Sequence, residues 1–307
     1  MMERSGGADR ALQGLAALIL AHDNMPQLAL LLRWLGRHGA QSFVHLDARA
    51  HAAQEELARF APPRCTVLPP ARSFKVAWGG FGMVEATLAL MREALKDPAT
   101  RHLALLSGTH LPLRPASEVA SFLFDGREHI DLSFAAAEPM DQKSLRRFWY
   151  HALPGREEES ALLRWLNRNS WRLGKRDLAR GLRGMTPMVG TQWWCLTAEC
   201  ARHVLDFVDA NPWYPRFFRF SSIPDETFFH TIIGASPFTR ALGSAPLYQR
   251  MAGYSPMVLR AADLPAARAS GMPFARKFDS RVDAAAVELA LFSADAAEAS
   301  RRPGIPA

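Results

Sequence analysis

Cysteine is scarce in this chain of 307 residues. The three present, Cys65, Cys195 and Cys200, form neither a CxxC pair nor an even set. That excludes a disulfide framework and a cysteine zinc cluster. No Asp is followed two positions later by another Asp, no HExxH occurs, and the histidines are scattered, so no ready metal clamp is written in the sequence. The Gly-rich dinucleotide fingerprint, the P-loop and the Gly-x-Ser-x-Gly elbow are missing too, which leaves the corresponding enzyme classes unsupported. No repeat or low-complexity linker stands out. The apolar run Ala11–Ala21 is too short to span a bilayer and lacks a cleavage site, so it reads as a buried first strand.

What is there is globular: 49% hydrophobic and 22% charged residues, with a net charge of +7. A basic surface suits a phosphorylated ligand, nucleic acid or an anionic membrane face, without choosing among them. Sparse cysteines fit a reducing compartment. The expectation is a cytoplasmic protein, with peripheral contact at an inner membrane left open.

Along the chain, Leu15–Ala21 reads as a strand and Pro26–His38 as a helix capped by Asp23 or Asn24. Ser42–Leu46, Cys65–Leu68, Leu103–Leu106, Ile130–Phe134 and Val189–Leu196 read as further strands. Ala50–Phe60, Met83–Leu95 and Ala198–Val208 read as helices, and a further helix starts at Pro224 and runs to Ile233. Alternating strand and helix predict an α/β fold, a Rossmann-like, mostly parallel sheet flanked by helices. The expected organisation is a disordered stretch over 1–14 and a single domain over 15–293. The domain carries a helical or irregular insertion at about 139–184, and a flexible tail follows over 294–307.

Ligands in such sheets bind beyond the carboxyl ends of the strands. Asp47, the Trp78–Gly82 loop and the Ser107–Leu111 turn fall there. Pro224-Asp225-Glu226 opens a helix, where acids often do no more than cap, yet a carboxylate so held is well placed as a general base. Arg276-Lys277, with Arg250 upstream, is either solvated surface or a fixed cationic site beside a leaving diphosphate. Trp78, Trp193 and Trp194 either fill core or stack on a base or sugar. As neighbours on a strand, Trp193 and Trp194 face opposite sides.

Seven blocks in order carry a resemblance: Ala21-His-Asp-Asn, Phe43-Val-His-Leu-Asp, Val76-Ala-Trp-Gly-Gly-Phe-Gly, Leu105-Leu-Ser-Gly-Thr-His-Leu-Pro, Gly190-Thr-Gln-Trp-Trp, Pro224-Asp-Glu and Phe274-Ala-Arg-Lys-Phe-Asp. Together they resemble the core-2/I-branching β-1,6-N-acetylglucosaminyltransferase family, which also contains peptide O-xylosyltransferases. The resemblance implies a glycosyltransferase A-type fold and inverting transfer of GlcNAc or xylose from a UDP-sugar to a hydroxyl of a glycan or related acceptor. It implies no metal and no other cofactor. It implies Glu226 as base, Lys277 and an upstream arginine, best matched by Arg250, on the diphosphate, and Asp47, Trp78 and Ser107 around the donor. Trp193 and Trp194 are candidates for the acceptor side. His110 stands where the family often has Asp. The bacterial members point to surface polysaccharide synthesis, and no nucleic-acid partner is expected. The rival expectation is a non-catalytic basic module for polysaccharide or nucleic acid, built on the interleaved Trp and Arg between Phe148 and Arg183.

Overall fold

The computed structural model describes residues 10–134, 147–153, 160–253 and 255–299. Strand β1 (Leu15–Ala21) is buried along its whole length, as expected of an apolar strand covered on both faces. β2 (Gln41–Leu46) and β3 (Cys65–Val67) extend the sheet on one side, and β4 (His102–Ser107) adds on the other, all parallel. Helices α1 (Met25–Arg37), α2 (His51–Phe60) and α3 (Gly82–Ala94) return the chain between these strands. Asn24 caps α1, its side chain accepting the Gln27 N–H, with Pro26 in the first turn.

Beyond β4 the sheet becomes mixed. β9 (Cys195–Thr197) runs antiparallel to β4, and β6 (Glu128–His129) antiparallel to β9. β10 (Leu242–Gly243) closes that edge parallel to β6. The order is β10-β6-β9-β4-β1-β2-β3. Side chains of β1 alternate between two cores. Ala17 and Ile19 join Leu28, Leu31 and Leu35 of α1, whereas Ala16 and Leu18 join Val84, Leu88 and Met91 of α3. The mainly parallel, helix-flanked α/β architecture expected from the sequence is present.

A second, small sheet sits beyond the carboxyl end of β4. β14 (Phe274–Arg276) pairs in parallel with β11 (Leu247–Gln249) and antiparallel with β5 (Leu111–Pro112). Two short ribbons complete the strands, β7 (Ser133–Phe134) with β8 (Met188–Val189), and β12 (Met251–Ala252) with β13 (Ser255–Pro256).

Two expected strands are broken. Ile130–Phe134 leaves the main sheet, because the Asp131 carboxylate turns aside to accept the Ala245 N–H at 2.9 Å and the Thr191 hydroxyl at 3.3 Å. Val189–Leu196 divides into β8 and β9, with Gly190–Trp194 bridging them. A Cβ on Gly190 would lie 1.9 Å from the Asp131 carbonyl, so the backbone is pressed against its neighbour there. At the start, residues 10–14 form a packed turn in which Leu12 is fully buried; the rest of the expected disordered stretch lies outside the described residues. At the other end, a helix spans Ala284–Ala299 and so runs on past 293, while 300–307 lie outside the described residues. Of the expected insertion, 139–146 and 154–159 lie outside them; the remainder holds a helix at Ala161–Arg168, a 3-10 turn at Ser170–Leu173 and a short helix at Leu178–Gly181. Among the described residues no helix is long and apolar enough to cross a membrane.

Candidate active site

The seven sequence blocks converge on the cleft beyond the strand ends. The Asn24 amide donates to the Asp279 carboxylate at 3.1 Å, and the Gln27 amide to the Phe278 carbonyl at 3.0 Å. Those bonds tie the turn after β1 to the Phe274–Asp279 segment. The Phe278 N–H donates to the Thr109 carbonyl at 3.0 Å, which adds the Ser107–His110 turn. On the other side, the Ile223 N–H donates to Gly79 at 2.8 Å, and the Gly190 N–H to Glu226 at 3.1 Å. Gly79 has φ of +66° and faces the Ile223 side chain, so a glycine is needed where the Trp78 loop meets the Pro224–Glu226 turn. An open groove of about 560 Å³ lies beside Gly190, lined among others by Asp131, Ser133 and Thr191.

Glu226 ends a single 3-10 turn, Pro224–Glu226, and the next helix starts only at Phe228. Its Oε2 accepts from Arg147 at 2.6 Å, while Oε1 has no hydrogen-bond partner among the described residues. The preceding Asp225 is buried, with Oδ1 unpartnered. Burial and then the neighbouring Glu226 charge push the Asp225 carboxyl up to about 7. The two acids are thus split into a half-exposed carboxylate and a buried group that holds its proton readily.

Arg276 emerges from β14 with its guanidinium over the Trp193 ring, 4.7 Å from the centroid. Its Nε is buried without a partner, and no described residue accepts a hydrogen bond from the side chain. Burial lowers its pKa to about 10, opposed by the nearby negative charge of Glu226. Lys277 follows, half-buried, with no hydrogen bond to its ammonium among the described residues. A desolvated guanidinium without a hydrogen-bonded acid is costly to hold, and Lys277 has the Asp279 carboxylate in its neighbourhood.

His110 is completely buried. Its Nδ1 accepts the Ser107 N–H at 2.9 Å, so the ring hydrogen belongs on Nε2, which has no partner. Burial, and secondarily the Arg276 charge, hold this imidazole neutral, well below its ordinary pKa. The ring meets Trp193 edge-on, with centroids 4.6 Å apart. Ser107 Oγ shares hydrogen bonds of 2.8 Å with Thr109 and with His110.

The remaining expected site residues divide. Trp78 projects from its loop 76% exposed, free to cover a ligand. Trp193 and Trp194 are both buried in the same core: Trp193 is 5% exposed, with Arg276 over its ring and His110 against its edge, and Trp194 packs on Phe229. Asp47 lies at the end of β2 with both oxygens engaged. Arg49 forks onto it at 2.8 and 2.7 Å, and the Val76 N–H adds 2.9 Å. Burial alone would raise its pKa, but these donors bring it down to about 2. Asp47 therefore anchors the segment leading to Trp78. Arg250 is half-exposed and paired with Asp263, whereas Arg276, next to Lys277, lies near enough to Glu226 to feel its charge. Sequence reasoning noticed Arg276 only as the neighbour of Lys277. It missed Arg147 altogether, because nothing in the irregular stretch around Phe148 marks an arginine aimed at a carboxylate 79 positions away.

These blocks carry a family. Residues 15–250 match the family model described as "Core-2/I-Branching enzyme", and the chain belongs to that family. Among curated relatives, it is 24% identical to rat (Rattus norvegicus) xylosyltransferase 2 and 25% identical to human (Homo sapiens) xylosyltransferase 2. Each alignment covers 95% of this chain and 35% of the relative. Rat xylosyltransferase 1 is 23% identical over 78% of this chain and 30% of its own length. The chain thus spans about a third of the length of the curated relatives it matches. Among solved structures, 4-diphosphocytidyl-2C-methyl-D-erythritol synthase from Anaerococcus prevotii matches at 9% identity and TM-score 0.36, covering 83% of this chain and 97% of that one.

Proposed function

We propose that this chain is an inverting glycosyltransferase that moves xylose or GlcNAc from a UDP-sugar to a hydroxyl of a glycan or related acceptor, without a metal ion. The observation that carries the proposal is Arg276, a cation with no hydrogen-bonded acid among the described residues, close to a Glu226 whose Oε1 has no partner among them, with Lys277 next in the chain. The relatives named xylosyltransferases weigh toward xylose. A role in surface polysaccharide synthesis and peripheral contact with a membrane belong to the same proposal.

In the proposed reaction, Glu226 Oε1 takes the proton of the acceptor hydroxyl as its oxygen attacks the anomeric carbon. The bond to the diphosphate breaks on the opposite face, so an α-linked donor yields a β product. The electron pair departs with UDP, and Arg276 and Lys277 meet the charge that develops there, in the way fixed cations stabilise a leaving phosphate. Trp78 is the exposed ring available to the nucleotide, and the buried Trp193 backs Arg276.

The test is a UDP-release screen across UDP-sugars, run with and without chelator. Activity with UDP-xylose or UDP-GlcNAc that survives EDTA is expected, and a strict Mn²⁺ requirement would refute the cationic clamp. Glu226→Gln should lower turnover by roughly 10²–10⁴-fold while UDP still raises the melting temperature. Normal turnover in that variant removes Glu226 as base.

A further inference from the structure

We propose that the face built by Ser160–Arg183 docks this protein on an anionic lipid bilayer. The inference deepens the membrane contact proposed above and does not depend on the donor chemistry. Helix Ala161–Arg168 is amphipathic yet buries none of its residues. Leu162, Trp165 and Leu166, at i, i+3 and i+4, share one side, and Leu162 and Trp165 are 67% and 55% exposed. Trp171 and Leu173, 54% and 76% exposed, extend the patch through the next turn. An apolar stripe of this kind normally faces a core. Here no described residue covers it, and a contiguous exposed patch marks an interaction surface.

Charge identifies the partner. From Ser160 to Gly184 the chain carries seven Arg and Lys and a single acid, Asp177, with Glu157, Glu158 and Glu159 just before it, a net +4 over 156–184. Asp177 is committed to capping the short helix at Leu178. Arg172 lies over the Trp171 ring at 5.4 Å and Lys175 over Trp149 at 4.0 Å. Cations with flexible stems beside Trp rings match the headgroup level of a bilayer, with leucines reaching the acyl boundary. A second copy seated on this face would set Arg168, Arg172 and Lys175 against the same cations. A nucleic acid would satisfy the cations but leave Leu162, Leu166 and Leu173 without apolar contact.

The patch is fixed to the body of the protein. The Arg176 guanidinium donates to Ser221 Oγ at 2.9 Å and to the Phe217 carbonyl at 2.6 Å. The Arg176 N–H donates to the Trp149 carbonyl at 2.7 Å. Two residues before Trp149, Arg147 holds Glu226. These bonds connect the patch to the segment that holds Glu226.

Flotation of the full chain with vesicles tests this. Binding is expected to vesicles of 30% phosphatidylglycerol in phosphatidylcholine, not to pure phosphatidylcholine, and to fall with salt. Leu162→Ser/Trp165→Ser/Leu173→Ser should weaken binding at least about tenfold, and each of Arg168→Glu and Arg172→Glu by about fivefold or more. All five side chains are exposed, so both sets of variants should melt like the parent; if the triple variant melts early, the charge variants decide. Failure to bind the acidic vesicles, binding unchanged in both sets, or salt-sensitive capture of an oligonucleotide without vesicle binding would each overturn the proposal. So would a concentration-dependent dimer that the triple variant dissolves. UDP stabilisation measured on the same variants should stay at the parental value; its absence in the parent would sink the donor proposal alone.

Discussion

Asp47 and Arg276 both lie at the strand-end cleft and are treated in opposite ways. The anion is met in full by its own protein: Arg49 and the Val76 N–H occupy both oxygens. The cation is desolvated, stacked on Trp193 and left without an acid in contact. A satisfied charge stabilises the fold, whereas an unsatisfied one costs free energy until something binds. The comparison separates a charge that the protein's own groups satisfy from one they leave unmet, a distinction that sequence position alone does not make.

The sharpest way to break that comparison is to measure UDP affinity. Lys277→Ala and Arg276→Gln should each weaken it by roughly 1.5–3 kcal/mol, the worth of a charge-assisted hydrogen bond; calorimetric titration with UDP is the check, and parental affinity in either variant removes that residue from the site. Asp47→Ala should act on stability instead, lowering the unfolding free energy by about 1–3 kcal/mol in urea melts, because Arg49 and Val76 lose their acceptor. Arg276→Met should move the other way and raise the melting temperature of the ligand-free protein. A lowered melting point would mean that the guanidinium is needed for packing.

Acid titration sharpens the Asp47 side. Its folded pKa of about 2 lies below the ordinary 3.8, so its contribution is fully present above about pH 4 and is lost as pH falls through about 2. Parent and Asp47→Asn should therefore converge in stability at the acid end; a constant gap would show that the carboxylate charge is not what matters. The smallest effect is expected at Arg250→Ala, under about 1 kcal/mol, since its pair with Asp263 is exposed. UDP affinity should not change there, and a clear loss would restore Arg250 to the diphosphate.

The same contrast explains what was legible. β1 matches its expected limits, Leu15–Ala21, because an unbroken apolar run bounded by polar turns leaves one solution. Val189–Leu196 has a composition that fits one strand, but the Gly190 backbone is pressed against the Asp131 carbonyl, 59 positions away, and its N–H donates to Glu226. The small sheet was invisible for a related reason. Its strands are two or three residues long, and Leu111 pairs with Ala275 across most of the chain. No local period encodes that. In the site, Glu226 and Lys277 stood out through ordered motif blocks. Arg147, which holds Glu226, and the Trp193–His110 pair behind Arg276 come together only once the chain has folded.

The bonds from Asn24 to Asp279 and from Gln27 to Phe278 join positions more than 250 residues apart. Loop closure over such a span comes late in folding, after the local βα units have formed. A half-made chain would thus already own the platform of strand ends while lacking both cations. Both would reach the cleft in the closing step, all at once rather than residue by residue.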